Sequence, residues 1–114
     1  MQEEYQLKEN EEQYFFICKS VQETYFQIDV VQNQKIEIIS TGEIENLQLC
    51  QEDFSPIENL KKKRSEKGKL YTVQFSKEGR YYLKHTGKLD LYPSNKALNP
   101  CKISYRTISD FWKL

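Results

Sequence analysis

The chain has little of what catalytic and metal sites are usually built from. Its 114 residues include four glycines and one histidine, and the glycines do not have the spacing of a phosphate-binding loop. A single imidazole is too few for a copper site, and no serine lies in a Gly-x-Ser-x-Gly turn. We expect His85 to be an exposed or hydrogen-bonded strand residue rather than a general base. The sequence therefore predicts no catalytic residue, no metal and no cofactor, and we expect the protein not to be an enzyme.

Cysteine is also scarce, and its spacing is unsuited to cross-linking. Cys18, Cys50 and Cys101 are odd in number and far apart, so neither a disulfide framework nor a CxxC metal knuckle is indicated. Free cysteine is among the most buried residue types. We expect three reduced thiols in or near the core.

The charges balance, and long apolar runs are absent. Lysine and arginine together number 17, as do aspartate and glutamate. Attraction to nucleic acid or to an anionic membrane would therefore need a local patch of charge. The longest uncharged apolar runs, such as residues 14–18 and 25–28, are far below the roughly 20 residues of a spanning helix. We expect no membrane insertion.

The N-terminal segment is acidic where a signal peptide would be basic and then apolar. We infer an intracellular protein, in the cytoplasm or nucleus, unless a leader was removed. The same segment offers only Tyr5 and Leu7 as apolar anchors, so residues 1–12 are predicted to be a flexible tail. By length, residues 13–114 then form a single β domain.

Alternating polarity predicts short β-strands along most of the chain. Outside the hairpin described next, the predicted strands cover residues 13–19, 24–30, 35–40, 43–50, 88–92 and 101–105. Residues 51–68 break this pattern, and we expect a helical turn over residues 56–60 followed by an exposed, mobile loop. The spacing of Thr107 and Asp110 is that of a capping box and predicts a short C-terminal helix.

The strongest structural signal is a predicted β-hairpin over residues 69–86. In its first arm Tyr71, Val73 and Phe75 occupy alternate positions, as on the buried face of a strand. The second arm, residues 80–86, is dense in the aromatic and branched residues that favour strands. Gly79 precedes this arm, where a positive φ would help to reverse the chain.

These elements predict an all-β fold. We favour an antiparallel β-sandwich of jelly-roll-like architecture with a short C-terminal helix. The alternative is a small barrel of the oligonucleotide-binding (OB) type, which a short C-terminal helix would also suit.

A resemblance to a known family supports the sandwich. The segments that carry it are Tyr25-Phe-Gln-Ile-Asp-Val30, Ile36-Glu-Ile38, Thr41-Gly42, Leu47-Gln-Leu49 and Phe75-Ser-Lys-Glu-Gly-Arg-Tyr-Tyr-Leu83. Their order resembles that of bacterial pre-peptidase C-terminal domains and, more distantly, of other jelly-roll-like binding sandwiches. The resemblance spans about two-thirds of the chain and implies the fold and an accessory binding role. Such domains often bind calcium through clustered acidic loops, but the aspartates here are scattered, so no metal site is implied.

Two groups of residues are candidate contact sites. The first is the local concentration of positive charge formed by Lys61, Lys62, Lys63 and Arg64. In an exposed loop these side chains would bind a polyanion or a protein partner. The second group consists of large side chains expected to bind a partner: Tyr82, Phe111, Trp112 and Leu114. Tyr81 and Tyr82 are consecutive, so they must point to opposite faces of a strand, which places one of them outside the core.

The resulting functional hypothesis is a non-catalytic interaction module, a subunit or accessory domain of a larger protein assembly. The alternative is an OB-type protein that holds single-stranded nucleic acid with the basic residues 61–69 and exposed tyrosines. A carbohydrate-binding accessory domain is a weaker third hypothesis. A protein is thus the expected partner, with nucleic acid second.

Overall fold

Nine β-strands joined in one hydrogen-bonded sheet form the described part of the chain. In the computed structural model of the protein, this part comprises residues 3–92 and 101–108, without the side chains of residues 18–21 and 92. The strands are β1 (Glu3–Gln6), β2 (Gln13–Val30), β3 (Lys35–Thr41), β4 (Gln48–Cys50), β5 (Pro56–Asn59), β6 (Lys62–Ser65), β7 (Gly68–Gln74), β8 (Gly79–Tyr92) and β9 (Cys101–Thr107). No helix occurs in these two ranges, and thus none there that is long and apolar enough to cross a membrane.

The two longest strands, β2 and β8, connect the two halves of the sheet, which are β5-β4 on one side and β9-β3-β7-β6 on the other. The order is β5-β4-β8-β2-β9-β3-β7-β6, with β1 added beside β2. Near its start, β2 pairs with β9 through Gln13–Phe15, and near its end it pairs with β1 through Thr24–Gln27. The long strand β8 accompanies it antiparallel over both stretches. A single strand pair therefore belongs to both halves, and the sheet can fold over onto itself.

The inward side chains of both halves meet in one core, which confirms the predicted all-β, sandwich-like fold. The predicted inward residues Phe26, Ile28, Ile36 and Ile38 are fully buried. The other members of the cluster are Leu7, Phe15, Val30, Ile44, Leu47, Leu49, Leu60, Tyr71, Val73, Phe75, Leu83, Leu89, Cys101, Ile103 and Tyr105. The alternative barrel is not observed, because the end strands β5 and β6 do not pair with each other in the part of the chain that the structure describes.

Two pairs of predicted strands are continuous in the structure. The predicted strands 13–19 and 24–30 are both parts of β2, and the strand predicted for residues 88–92 continues the second hairpin arm as β8. The register shifts between Cys18 and Glu23, which marks a bulge rather than an end of pairing. Thr24 bridges this irregularity: its hydroxyl donates to the Gly87 carbonyl at 2.8 Å and accepts from the Leu89 N–H at 3.0 Å.

The predicted hairpin over residues 69–86 is wrong in its pairing, although both arms are strands. Strand β7 pairs with β3 and β6, whereas β8 pairs with β2 and β4. The linking residues 75–78 therefore lead from one half of the sheet to the other instead of closing a turn. Gly79 does have the predicted positive φ, at 146°. Alternating polarity gave the buried faces correctly, but it does not specify which strand lies alongside.

The N-terminal segment is not a tail where the structure describes it. Residues Glu3–Gln6 form β1, parallel to Thr24–Gln27 of β2, and Leu7 is buried in the core. Tyr5 packs edge-on against Phe15 with ring centroids 4.9 Å apart, and its hydroxyl donates to the Leu89 carbonyl. The two apolar anchors noted in the sequence are sufficient to hold this segment against the sheet.

The segment 51–68 also differs from its prediction. It contains the strands β5 and β6 instead of a helical turn and a loop, while the strand predicted over residues 43–50 is limited to Gln48–Cys50. The side chain of Leu60, between β5 and β6, enters the core at 8% exposure. This buried leucine attaches the segment to the core. The charged residues around it had indicated an exposed loop. The predicted C-terminal helix falls on residues 109–114, which lie outside the described residues.

Candidate interaction surface

The predicted basic residues lie on and beside β6, the last strand at one end of the sheet. This strand pairs antiparallel with β7, with Lys63 opposite Leu70 and Ser65 opposite Gly68. Residues 61–69 contain six basic side chains and one acidic side chain. Most of the cluster therefore lies on a strand at the end of the sheet rather than in the loop that the sequence predicted. We call Lys61, Lys62, Lys63 and Arg64, as they stand on this edge, the basic edge.

Glu45 organises one row of the basic edge. Its carboxylate lies 3.1 Å from the Lys62 Nζ, 3.2 Å from the Lys69 Nζ and 4.0 Å from the Arg64 Nη2. The hydrogen bonds from Lys62 and then Lys69 hold the pKa of the Glu45 carboxyl below its usual value. The Lys69 Nζ also donates to the Gly42 carbonyl. Glu45 thus fixes Lys62 and Lys69 in place, so both are partly neutralised.

The remaining side chains of the basic edge face solvent. Lys61 and Lys63 are exposed, and the Arg64 side chain is 71% exposed despite its proximity to Glu45. Alternate side chains of a strand lie on opposite faces, so Lys63 projects away from the row that contains Lys62 and Arg64. Of the four predicted residues, Lys61, Lys63 and Arg64 are therefore exposed to solvent, whereas Lys62 forms an ion pair with Glu45.

Tyr82 is not an exposed contact residue. It is 5% exposed and lies in a small second cluster, separate from the main core, with Tyr25, Cys50 and Phe54. Its ring centroid is 4.4 Å from that of Phe54 and 6.1 Å from that of Tyr25. Tyr82 therefore lies outside the main core, as predicted for one of the two consecutive tyrosines. It is not exposed, however, because Phe54 and Tyr25 cover its ring.

The hydroxyl of Tyr25 shows how this outer cluster is closed. It donates to the Glu23 carboxylate at 2.7 Å, and burial, followed by this hydrogen bond, raises the pKa of Tyr25 to about 12. Glu23 in turn lies 3.4 Å from the Lys84 Nζ. The cluster is therefore a compact patch that stabilises the sheet rather than an open platform for bases or sugars.

The other predicted contact residues, Phe111, Trp112 and Leu114, lie outside the described residues. Sequence reasoning missed a different set of exposed apolar side chains on the long strands. Phe16, Ile17 and Leu91 are 45%, 38% and 51% exposed. Ile17 and Leu91 belong to the same face as the buried Phe15 and Leu89, because these four residues pair directly across β2 and β8. The alternation of Leu89 and Leu91 with charged residues signals a core face, but it does not reveal where the core ends.

His85 is buried rather than exposed, and it is hydrogen-bonded to the backbone of Glu45. Its side chain is 6% exposed, and its Nδ1 has no hydrogen-bond partner. Burial lowers the pKa of the imidazole, an effect that the carbonyl of Glu45 only partly opposes. With Glu43, Glu45, Asn46 and Thr86 it lines a pocket of about 410 Å³. Its pairing opposite the buried Thr24 explains its position, since paired residues share a face.

The cysteines follow their prediction where their side chains are described. Cys50 and Cys101 are free and buried, and burial raises the pKa of the Cys50 thiol. In residues 3–92 and 101–108, no group of three His, Cys, Asp or Glu side chains is placed to hold a metal ion.

The topology and core place the chain among largely antiparallel, sandwich-like β proteins. Solved structures with similar folds include two bacterial proteins. One is the pre-peptidase C-terminal domain of a collagenase from Bacillus anthracis, with a TM-score of 0.56 and 16% sequence identity over 93% of this chain and 97% of that one. The resemblance noted in the sequence is thus confirmed at the level of the fold.

The other is a periplasmic inhibitor of g-type lysozyme from Aeromonas hydrophila, also with a TM-score of 0.56, at 8% identity over 95% of this chain and all of that one. No protein-family model matches the chain, and neither does any curated protein. The TM-scores establish a shared fold. Identities this low do not extend to function, which has to be argued from the surface of this chain.

Proposed function

We propose that the protein is a non-catalytic binding module that joins a larger protein assembly as a subunit or accessory domain. The observation that carries this proposal is the basic edge: a strand at the end of the sheet, bounded by exposed Lys61, Lys63 and Arg64 and held in shape by Glu45. Exposed charges of one sign on a single strand favour a surface of the opposite charge, because complementary charges raise the association rate and disfavour other partners.

The two similar structures are compatible with such a role. One is a domain of a larger enzyme, a collagenase, and the other inhibits a lysozyme. A part of a larger protein and a protein that acts on another protein both fit a binding module. We also propose Phe111, Trp112 and Leu114 as partner contacts, because three large apolar residues within four positions favour burial against a partner.

Single-stranded nucleic acid is the second candidate partner. The same exposed cations, Lys61, Lys63 and Arg64, favour it, since lysine and arginine contact phosphates without sequence readout. The covered state of Tyr82 argues against base stacking at that position.

Affinity capture from the native source tests the proposal. The bait is the intact chain, compared with a Lys61→Glu/Lys63→Glu variant and with Lys77→Glu, which reverses an exposed lysine in the β7–β8 connection. We expect a protein that both the intact chain and the control recover in stoichiometric amount, and that the double variant loses. Equal recovery by all three baits would contradict a role for the basic edge. A chain lacking residues 109–114 tests the apolar C-terminal contact in the same way.

Fluorescence anisotropy separates the two candidates. Labelled single-stranded DNA and RNA are titrated with the intact chain at low and moderate salt. We expect no binding at micromolar protein concentrations. Binding that weakens as salt rises and disappears in the Lys61→Glu/Lys63→Glu variant would favour nucleic acid instead.

A further inference from the structure

The backbone of β6 has an open side. In the described ranges this strand pairs with β7 alone and ends the sheet. The outer edge of an end strand presents a row of N–H and C=O groups that can pair with another extended chain. The basic edge therefore offers hydrogen-bonding groups in addition to its charges.

The side chains on both faces of this edge are cationic and therefore disfavour a basic partner strand. The exposed Arg64 lies on the face of Glu45, and the exposed Lys63 lies on the other face, so an added strand would meet an exposed cation on either side. Lysine on an edge strand discourages pairing with a neutral or basic strand. An acidic strand is favoured, because opposite charges directly across two strands attract each other.

The spacing of the cations matches that of an extended peptide. Residues two apart on a strand project from the same face roughly 6.6–6.8 Å apart, so an extended partner with acidic residues at alternate positions meets the basic side chains in register. Glu45 holds Lys62 in an ion pair, which leaves Arg64, 71% exposed, as the cation on this face that can meet a carboxylate of the partner. A nucleic-acid backbone would satisfy the charges but not the strand's N–H and C=O groups.

We propose that β6 accepts an acidic, extended segment of a partner protein as an additional strand of the sheet. This inference rests on the proposed function and specifies how the basic edge recognises its partner. Backbone hydrogen bonds to β6 hold the segment, and alternating carboxylates opposite the lysines set its register and exclude basic sequences.

Three labelled peptides test this mode of binding by fluorescence anisotropy. The first is a ten-residue peptide of alternating Glu and Thr. The second has the same sequence with the amides along one edge N-methylated, which removes those N–H donors. The third replaces Glu by Lys. We expect the first peptide to bind, the second to bind at least tenfold more weakly, and the lysine peptide not to bind.

Matched variants assign the site. Lys63→Glu is expected to weaken binding of the first peptide about tenfold, since one cross-strand attraction becomes a repulsion. Lys77→Glu is the control and should bind as the intact chain does. Circular dichroism of each variant verifies that the sheet is formed. An intact-chain affinity that Lys63→Glu leaves unchanged would overturn the inference.

The peptide outcomes separate failure of this inference from failure of the proposed function. Equal binding of the plain and N-methylated peptides, lost in Lys63→Glu, would mean that the basic edge binds acidic chains without strand addition. That result overturns the inference and leaves the proposed function intact. No binding of the acidic peptide up to millimolar concentration also overturns it, whereas failure of the intact chain to recover any protein in stoichiometric amount overturns the proposed function itself.

Discussion

The buried hydroxyl of Thr24 links β2 to β8 by hydrogen bonds where the register of these strands shifts. It is fully buried and bonded to Gly87 and Leu89 on either side of the irregularity. Thr24→Val keeps the shape and the branching of the side chain but leaves both backbone groups without this partner. We expect the free energy of unfolding to fall by about 1–3 kcal/mol, as measured by urea denaturation. Thr72→Val, at an exposed position of β7, should change it by less than about 0.5 kcal/mol; equal losses would contradict this role.

His85, the only histidine, gives the protein a defined pH dependence. Its pKa in the folded state lies below the usual 6.5 because of burial, with Lys69 acting in the same direction and the nearby Glu43 opposing it. The unfolded chain therefore binds a proton at a higher pH than the folded chain does. The stability that this site contributes is complete above pH 6.5 and is lost as the pH falls below it.

We expect the free energy of unfolding to decrease between pH 6.5 and 5.5, by at most about 1.4 kcal/mol per pH unit. His85→Gln should flatten this slope, which urea denaturation at several pH values measures. The carboxyls with lowered pKa values titrate below this window; they are Glu12, Glu23, Glu45 and Asp53. A slope that the substitution leaves unchanged would show that His85 is not its source.

Among the elements, the β6–β7 hairpin depends on a glycine at its turn. Gly68 has a φ of 129°, and a Cβ there would lie 2.4 Å from the Ser40 carbonyl oxygen of β3. Gly79 has a similar φ, 146°, but open space around it. We expect Gly79→Ala to cost about 1–3 kcal/mol through backbone strain and Gly68→Ala to cost more, as measured by thermal denaturation. Equal costs would mean that β7 does not approach β3 as closely as described.

The sequence predicts which faces of the strands are buried but not which strands are neighbours. Alternation correctly placed Phe26 and Ile28 on β2, and Tyr71 and Val73 on β7, in the core. It does not record that β7 pairs with β3 and β6 while β8 pairs with β2 and β4, because pairing depends on contacts far apart in the sequence.

For the candidate site, the sequence likewise predicted which residues are charged but not where they lie in the fold. The basic residues were visible as a charge cluster, but two features of their placement were not: the strand that carries them and the role of Glu45 as their common partner. Glu45 is at least 17 residues distant in sequence from each lysine it binds. Likewise, Phe54 covers Tyr82 from the connection between β4 and β5. Phe54 has a φ of 68° there, which an alternation of polarity does not predict.

At the scale of the whole molecule, both halves of the sheet share one core and should unfold together. Ile38 of β3 and Leu83 of β8 are fully buried members of the same cluster. Ile38→Ala and Leu83→Ala are each expected to lower the free energy of unfolding by about 2–5 kcal/mol. Each should retain a single transition that coincides by circular dichroism and tyrosine absorbance. Leu91→Ala, at a half-exposed position, should cost much less, and two separate transitions would show that the halves fold independently.

The open edge of the sheet is the feature of the whole molecule on which its proposed function depends. Hydrogen exchange of the backbone amides, measured with and without the alternating Glu–Thr peptide, tests it most directly. The account predicts that peptide binding slows exchange within Lys62–Ser65 and leaves the opposite end strand, Pro56–Asn59, unchanged. Unchanged exchange throughout β6 with the peptide bound, or slowing confined to other strands, would contradict it.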